Sequence, residues 1–77
     1  MKKKVSIIIP CYNEEQSLPL LFPELDKLSK ACPQYDWEFV MINDGSRDNT
    51  LALLEAEHAK DNRYQVLDLL TIISTEV

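Results

Sequence analysis

Apolar and polar positions along this chain of 77 residues change period several times. Val5-Ser6-Ile7-Ile8-Ile9 is short, β-branched and apolar, and Pro10 is expected to stop it. An apolar run of this kind suits a parallel strand covered on both faces. A polar loop, Cys11 to Gln16, follows. Ser17 stands where an N-cap is expected, for a helix reaching about Ala31. Leu18, Leu21, Phe22, Leu25, Leu28 and Cys32 recur at helical spacing and form one apolar stripe. Pro19 fits the first turn, whereas Pro23 removes a hydrogen bond and predicts a bend.

Cys32-Pro33-Gln34 breaks the helical pattern. Trp37 to Ile42 reads as the second strand, and Asn43-Asp44-Gly45-Ser46 as a turn. Asp48 or Ser46 is expected to cap a second helix, about Asn49 to Ala59, with Leu51, Leu54 and His58 on one face. Lys60-Asp61-Asn62 ends that helix, and Tyr64 to Leu69 reads as a third strand. Leu70 to Val77 is apolar and β-rich, without turn chemistry or a helix cap. No internal repeat interrupts the alternation. Strands alternating with helices of this length predict an α/β, Rossmann-like βαβαβ unit with parallel strands and right-handed crossovers.

Composition narrows the function classes. At 45% apolar and 27% charged, the chain has the makeup of a folded domain rather than a disordered one. It is short for a domain, so its stability is expected to be marginal. A net charge of −5 argues against general nucleic-acid binding, which needs a basic face. The one basic run, Lys2-Lys3-Lys4, reads as a solubilising chain end. No apolar stretch approaches the ~20 residues that span a bilayer, and no signal-peptide pattern opens the chain, which points to a cytoplasmic location. Cys11 and Cys32 sit in no CxxC or Cys/His cluster, so both are expected to be small buried or half-buried residues.

In parallel sheets, ligands bind outside the carboxyl ends of the strands. That rim carries Tyr12, Asn13, Glu14 and Glu15 from one loop, and Asn43, Asp44, Ser46 and Asp48 from the other. Gly45 is the single glycine, so neither GxGxxG nor GxxxxGK[ST] is present to cradle phosphates. Carboxylates can nevertheless recognise a nucleoside, accepting from a base N–H and from ribose hydroxyls. Tyr12 offers a face for the base. An acidic pocket repels a diphosphate, so Mg²⁺ or Mn²⁺ would be needed alongside. Asp44, Ser46, Asp48 and Glu55 also fall at EF-hand spacing. Asn49 stands where that loop requires glycine, which rejects calcium.

Together, Val5 to Glu15 (VSIIIPCYNEE) and Val40 to Thr50 (VMINDGSRDNT) resemble the two opening signatures of family 2 glycosyltransferases of the GT-A fold. The likeness covers roughly residues 4 to 68 and is strongest to the polyprenyl-phosphate group, the dolichol-phosphate mannosyltransferases and bactoprenol glucosyltransferases. It implies the amino-terminal, nucleotide-binding half of that fold. It also implies a UDP- or GDP-linked sugar as partner, with polyprenyl phosphate as the parent enzyme's acceptor. Pro10, Tyr12 and Glu14 would line base and ribose, Ile42 would touch the base, and Asp44 would accept from its N–H. Asn43 stands where the family most often has a first aspartate.

Leu70 to Val77 departs from the family pattern, in which a basic, glycine-containing segment leads to a DxD-type metal site. The resemblance therefore divides the chain into a partial domain, residues 1–69, and a divergent or truncated tail, residues 70–77. The divalent metal (Mg or Mn) expected for full-length relatives finds no ligands here. No catalytic residue is assigned, and the fragment is expected to be inactive alone. Full-length relatives are expected at the cytoplasmic face of the membrane. Two other readings stay open: a non-catalytic nucleotide-binding module, and a non-functional remnant that cannot fold alone.

Overall fold

A computed structural model describes residues 2–69. The element order is β1 (Lys3–Cys11), α1 (Leu18–Ala31), β2 (Tyr35–Asn43), α2 (Thr50–Lys60) and β3 (Tyr64–Asp68). The three strands form one parallel sheet in the order β1-β2-β3. This is the predicted βαβαβ arrangement. The tail segment 70–77 lies outside the described residues.

Register sorts the side chains into two faces. Ile7, Ile9 and Cys11 of β1 line up with Phe39, Met41 and Asn43 of β2, and these with Tyr64, Val66 and Asp68 of β3. Helices α1 and α2 both cover this face. Leu18 and Leu25 of α1 and Leu54 of α2 bury against Cys11, Phe39, Met41 and Tyr64. Both helices on one side is the result expected when two successive crossovers share one hand. The aromatic centre is closely packed, with Phe39 and Tyr64 ring centroids 4.9 Å apart and Phe22 edge-on to Tyr64 at 5.4 Å.

The expectation of a strand covered on both faces is thereby corrected. Among the described residues nothing covers the second face. Ser6, Ile8 and Pro10 pair there with Glu38, Val40 and Ile42, and Ile8 is 64% exposed. From Lys4 to Cys11 exposure along β1 alternates, although its apolar residues do not.

Three local expectations also change, at Pro10, Ser17 and Leu28. Pro10 does not stop β1, which continues to Cys11. The Cys11 carbonyl accepts the Asp44 N–H at 2.9 Å, so Cys11 turns its polar groups to β2 and Pro10 turns away, toward the side of β1 that no strand pairs with among the described residues. A proline is tolerated there because no ladder bond is lost. Ser17 stands at the N-cap, but its side chain makes no capping bond. The N–H groups of Ser17 and Leu18 instead both donate to the Glu14 carbonyl, at 3.0 and 2.9 Å. Helix α1 runs through Pro23 as one element. Leu28, assigned to the apolar stripe, is 39% exposed. The remaining strand differences are of length, β2 beginning at Tyr35 rather than Trp37.

Candidate functional site

The strands end together at Cys11, Asn43 and Asp68, which are register neighbours. The two rim loops leave from this line. Pro10 and Ile42 lie side by side on the uncovered face. Tyr12 follows immediately and is 56% exposed, with no ring contact among the described residues. Asp44 is exposed, and its N–H ties the end of β2 to Cys11. Glu14 is half-buried, its carbonyl turned into the start of α1. The five residues singled out in the sequence thus lie along one rim and the sheet edge beside it.

What joins the loops is a set of bonds from backbone amides of one to side chains of the other. The Asn13 N–H donates to Ser46 Oγ at 2.9 Å, and the Glu14 N–H to Thr50 Oγ1 at 2.7 Å. The Glu15 N–H reaches Asp48 Oδ2 at 3.3 Å. In return the Arg47 N–H donates to Asn13 Oδ1 at 2.8 Å. Asn13 takes a positive φ of 52° and Gly45 one of 73°. Asparagine tolerates the left-handed region better than most residues, and glycine is free in it.

Asp48 was expected as a cap and partly acts as one. Asn49 occupies the N-cap of α2 without a side-chain bond, while Asp48 Oδ1 accepts the N–H of Thr50 at 2.9 Å. It also accepts the Thr50 hydroxyl at 2.5 Å. That hydroxyl, more than any other contact, holds the Asp48 carboxyl below its ordinary range. Ser46 does not cap; it serves the other loop.

Two carboxylates on this rim are differently placed. Among the described residues neither the Glu14 nor the Asp44 carboxylate takes a hydrogen bond or an ion pair. Beneath them Cys11 is buried, and burial, then the charge of Glu14, pushes its thiol upward, away from a reactive thiolate. Asn43 is 3% exposed and donates from Nδ2 to Asp68 Oδ1 at 3.4 Å. A carboxylate at position 43 would face Asp68 directly, so asparagine suits this register.

The described residues do not form a divalent-metal site. The two Asp48 oxygens serve Thr50 and Glu15, and Glu15 Oε2 accepts from Asn49 Nδ2 at 3.3 Å. Among the described residues no group of three or more His, Cys, Asp or Glu side chains could hold an ion. The EF-hand spacing fails for the same reason, since α2 begins at Thr50, inside the would-be loop. No described helix is long and apolar enough to cross a membrane.

Sequence reasoning missed the loop-to-loop role of Ser46, Asp48 and Thr50, reading Ser46 and Asp48 as local turn or cap chemistry. Asn13, placed on the rim by the sequence, also binds the opposite loop. The available signal was an excess of short acceptor side chains over what one turn and one cap can use.

Comparison with known proteins bears on this rim. A family model described as "Glycosyl transferase family 2" matches residues 6–69. Among curated relatives, an undecaprenyl-phosphate 4-deoxy-4-formamido-L-arabinose transferase of Pseudomonas fluorescens (strain SBW25) is 46% identical over 68 residues. The match covers 86% of this chain and 19% of the relative. The enzyme of the same name from Proteus mirabilis (strain HI4320) is 45% identical over 62 residues, covering 77% of this chain and 18% of the relative. The chain thus spans about a fifth of the length of the curated relatives it matches. No solved structure matches it.

Proposed function

Because the chain belongs to glycosyl transferase family 2, we propose that its rim forms the nucleoside half of a nucleotide-sugar site. Tyr12 stacks on the base, and Asp44 accepts from a base N–H. Glu14 accepts from ribose hydroxyls, and Pro10 and Ile42 supply apolar lining. One observation carries this reading. The backbones of both loops are pinned, yet the Glu14 and Asp44 carboxylates are left without partners among the described residues. Carboxylates held ready on fixed loops suit a ligand rich in N–H and O–H donors.

The parent reaction in this reading moves a sugar from a UDP- or GDP-linked donor to a polyprenyl phosphate. The relatives' names supply the acceptor class. A lipid acceptor puts the full-length enzyme at a membrane surface. Residues 1–69 contribute donor recognition, as a partial domain ahead of a divergent tail. Transfer chemistry and any divalent metal belong to parts of the parent fold beyond these loops. Titration calorimetry of the 77-residue chain with UDP and GDP, each with and without Mn²⁺, tests the site. Saturable binding of either nucleotide supports it, and heat indistinguishable from dilution for both refutes it. Sugar transfer to a polyprenyl phosphate by the purified chain alone would overturn the restriction to donor recognition.

A further inference from the structure

The loop carrying Tyr12 and Glu14 is tied to the start of α1 through the Glu14 carbonyl, but its Asn13 and Glu14 N–H groups are held from the other loop. Asn13 sits at positive φ, a region non-glycine residues avoid. Its N–H and its side-chain oxygen are both engaged by the other loop, through Ser46 and Arg47. At the centre of that engagement stands Thr50, which is fully buried. Its hydroxyl accepts the Glu14 N–H and donates to Asp48. Helix α2 does not need this hydroxyl to start, because Asp48 already accepts the Thr50 N–H. A valine would fill the same space. What the hydroxyl adds is a fixed position for the Glu14 backbone, 36 residues away in sequence.

We propose that Thr50, braced by Asp48, is a positioning residue: it sets the Glu14 carboxylate against Asp44 so that one nucleoside can meet both. The inference rests on the nucleotide reading above and assigns the geometry of that site to a residue that touches no ligand. Asp48 supports it by accepting the Thr50 hydroxyl and the Thr50 and Glu15 N–H groups.

The test uses the 77-residue chain as wild type, Thr50→Ser and Thr50→Val. Three quantities are read: amide hydrogen exchange at Glu14, affinity for UDP and for GDP, and Tm. Thr50→Ser keeps the hydroxyl and loses a buried methyl. It is expected to lower Tm while leaving Glu14 exchange and affinity within about threefold of wild type. Thr50→Val keeps the volume. It is expected to speed Glu14 exchange and weaken nucleotide binding about tenfold or more, with Phe39 and Val66 amides unmoved. If Thr50→Val does not fold, Asn13→Ala and Ser46→Ala, at the more exposed end of the same set of bonds, take its place, with about threefold weaker binding expected. Affinity that simply follows Tm through the series overturns the proposal, as does a Glu14 amide unmoved by Thr50→Val. Wild type that binds neither nucleotide, with the Glu14 amide responding as expected, overturns the nucleotide reading. The positioning role then falls with it, and a structural clamp remains.

Discussion

Two clusters of bonds among the described residues fasten segments more than thirty residues apart by different means, one where β3 begins and one where the strands end. At the first, Arg63 donates to Asp61 at 2.7 Å, to Asp26 at 3.2 Å and to Ser29 at 2.8 Å. Its guanidinium also lies 5.4 Å from the Phe39 ring centre. At the second, hydroxyl, amide and carboxylate side chains of Asn13, Ser46, Asp48 and Thr50 bind backbone groups. The first fastening matches charge against charge. Arg63 lowers the Asp61 carboxyl and joins Lys30 in lowering that of Asp26, while Asp61, with Asp26, raises the guanidinium in turn. The second fixes two loops by backbone bonds and leaves the Glu14 and Asp44 carboxylates outside the network, among the described residues. A structural joint can neutralise its charges; a binding rim has to keep some of them for its ligand.

The sharpest way to break the comparison is Phe39→Ala, which removes the ring beneath Arg63 and beside Tyr64. Emptying a fully buried phenyl site costs about 3–5 kcal/mol, comparable to the whole stability of a small domain. Chemical denaturation is expected to lose its cooperative transition. A wild-type chain that itself unfolds without cooperativity would favour the reading of a remnant that cannot fold alone.

Arg63→Met comes next. Allowing for the partial exposure of Arg63 and Asp61, a loss of about 1 kcal/mol at neutral pH is expected from urea unfolding. The sign with pH follows from the lowered carboxyls. Asp26 and Asp61 have folded pKa values below their ordinary 3.8, so their contribution is complete above that value. It is lost as pH falls below 3.8 through the folded values. The gap between wild type and Arg63→Met should therefore close in acid. A gap that persists in acid would mean that packing on Phe39, not charge, dominates. Tyr64 gives the opposite limb. Burial first, then Glu57 and Asp61, pushes its hydroxyl from 10.0 up to about 12. Its contribution is complete below pH 10 and lost as pH rises toward 12.

The rim is expected to respond in binding rather than stability. Asp44→Asn should weaken UDP or GDP binding roughly tenfold by calorimetry, since a charge-assisted hydrogen bond is replaced by a neutral one. Its Tm should stay near wild type, because the Asp44 side chain holds nothing else among the described residues. Tyr12→Ala is expected to cost about fivefold in the same titration, the lower range for a base stacked on an aromatic ring. Equal loss of stability from Asp44→Asn and Arg63→Met would erase the distinction between the two regions.

Much of the fold was legible because its signals are local. The apolar stripe of α1, the break at Cys32-Pro33-Gln34 and the turn at Asp44-Gly45 each act within a few residues. The larger misreadings share a cause, that neighbours in space were not neighbours in sequence. Ile7-Ile8-Ile9 looks the same whether one face or two are covered, and only the side on which α1 and α2 both fall decides it. Pro10 looks like a stop unless its strand is known to lie at an edge. Ser46, Asp48 and Thr50 carry strong turn and cap propensities, which mask partners 33 to 36 positions away. Arg63 drew no notice at all. An arginine two residues after an aspartate suggests a local pair, but nothing nearby announces Asp26 or Ser29.

The proline in β1 has a consequence for how this molecule meets its own copies. A parallel strand at the border of a sheet offers a ladder of donors and acceptors on which a stray extended chain can add itself. Pro10 presents no N–H to that side, and it stands one residue before the rim. A neighbour growing along the border toward the loops would run out of donors there. The residue that looked like the end of a strand thus takes one donor out of the border that β1 forms among the described residues, two positions before Tyr12.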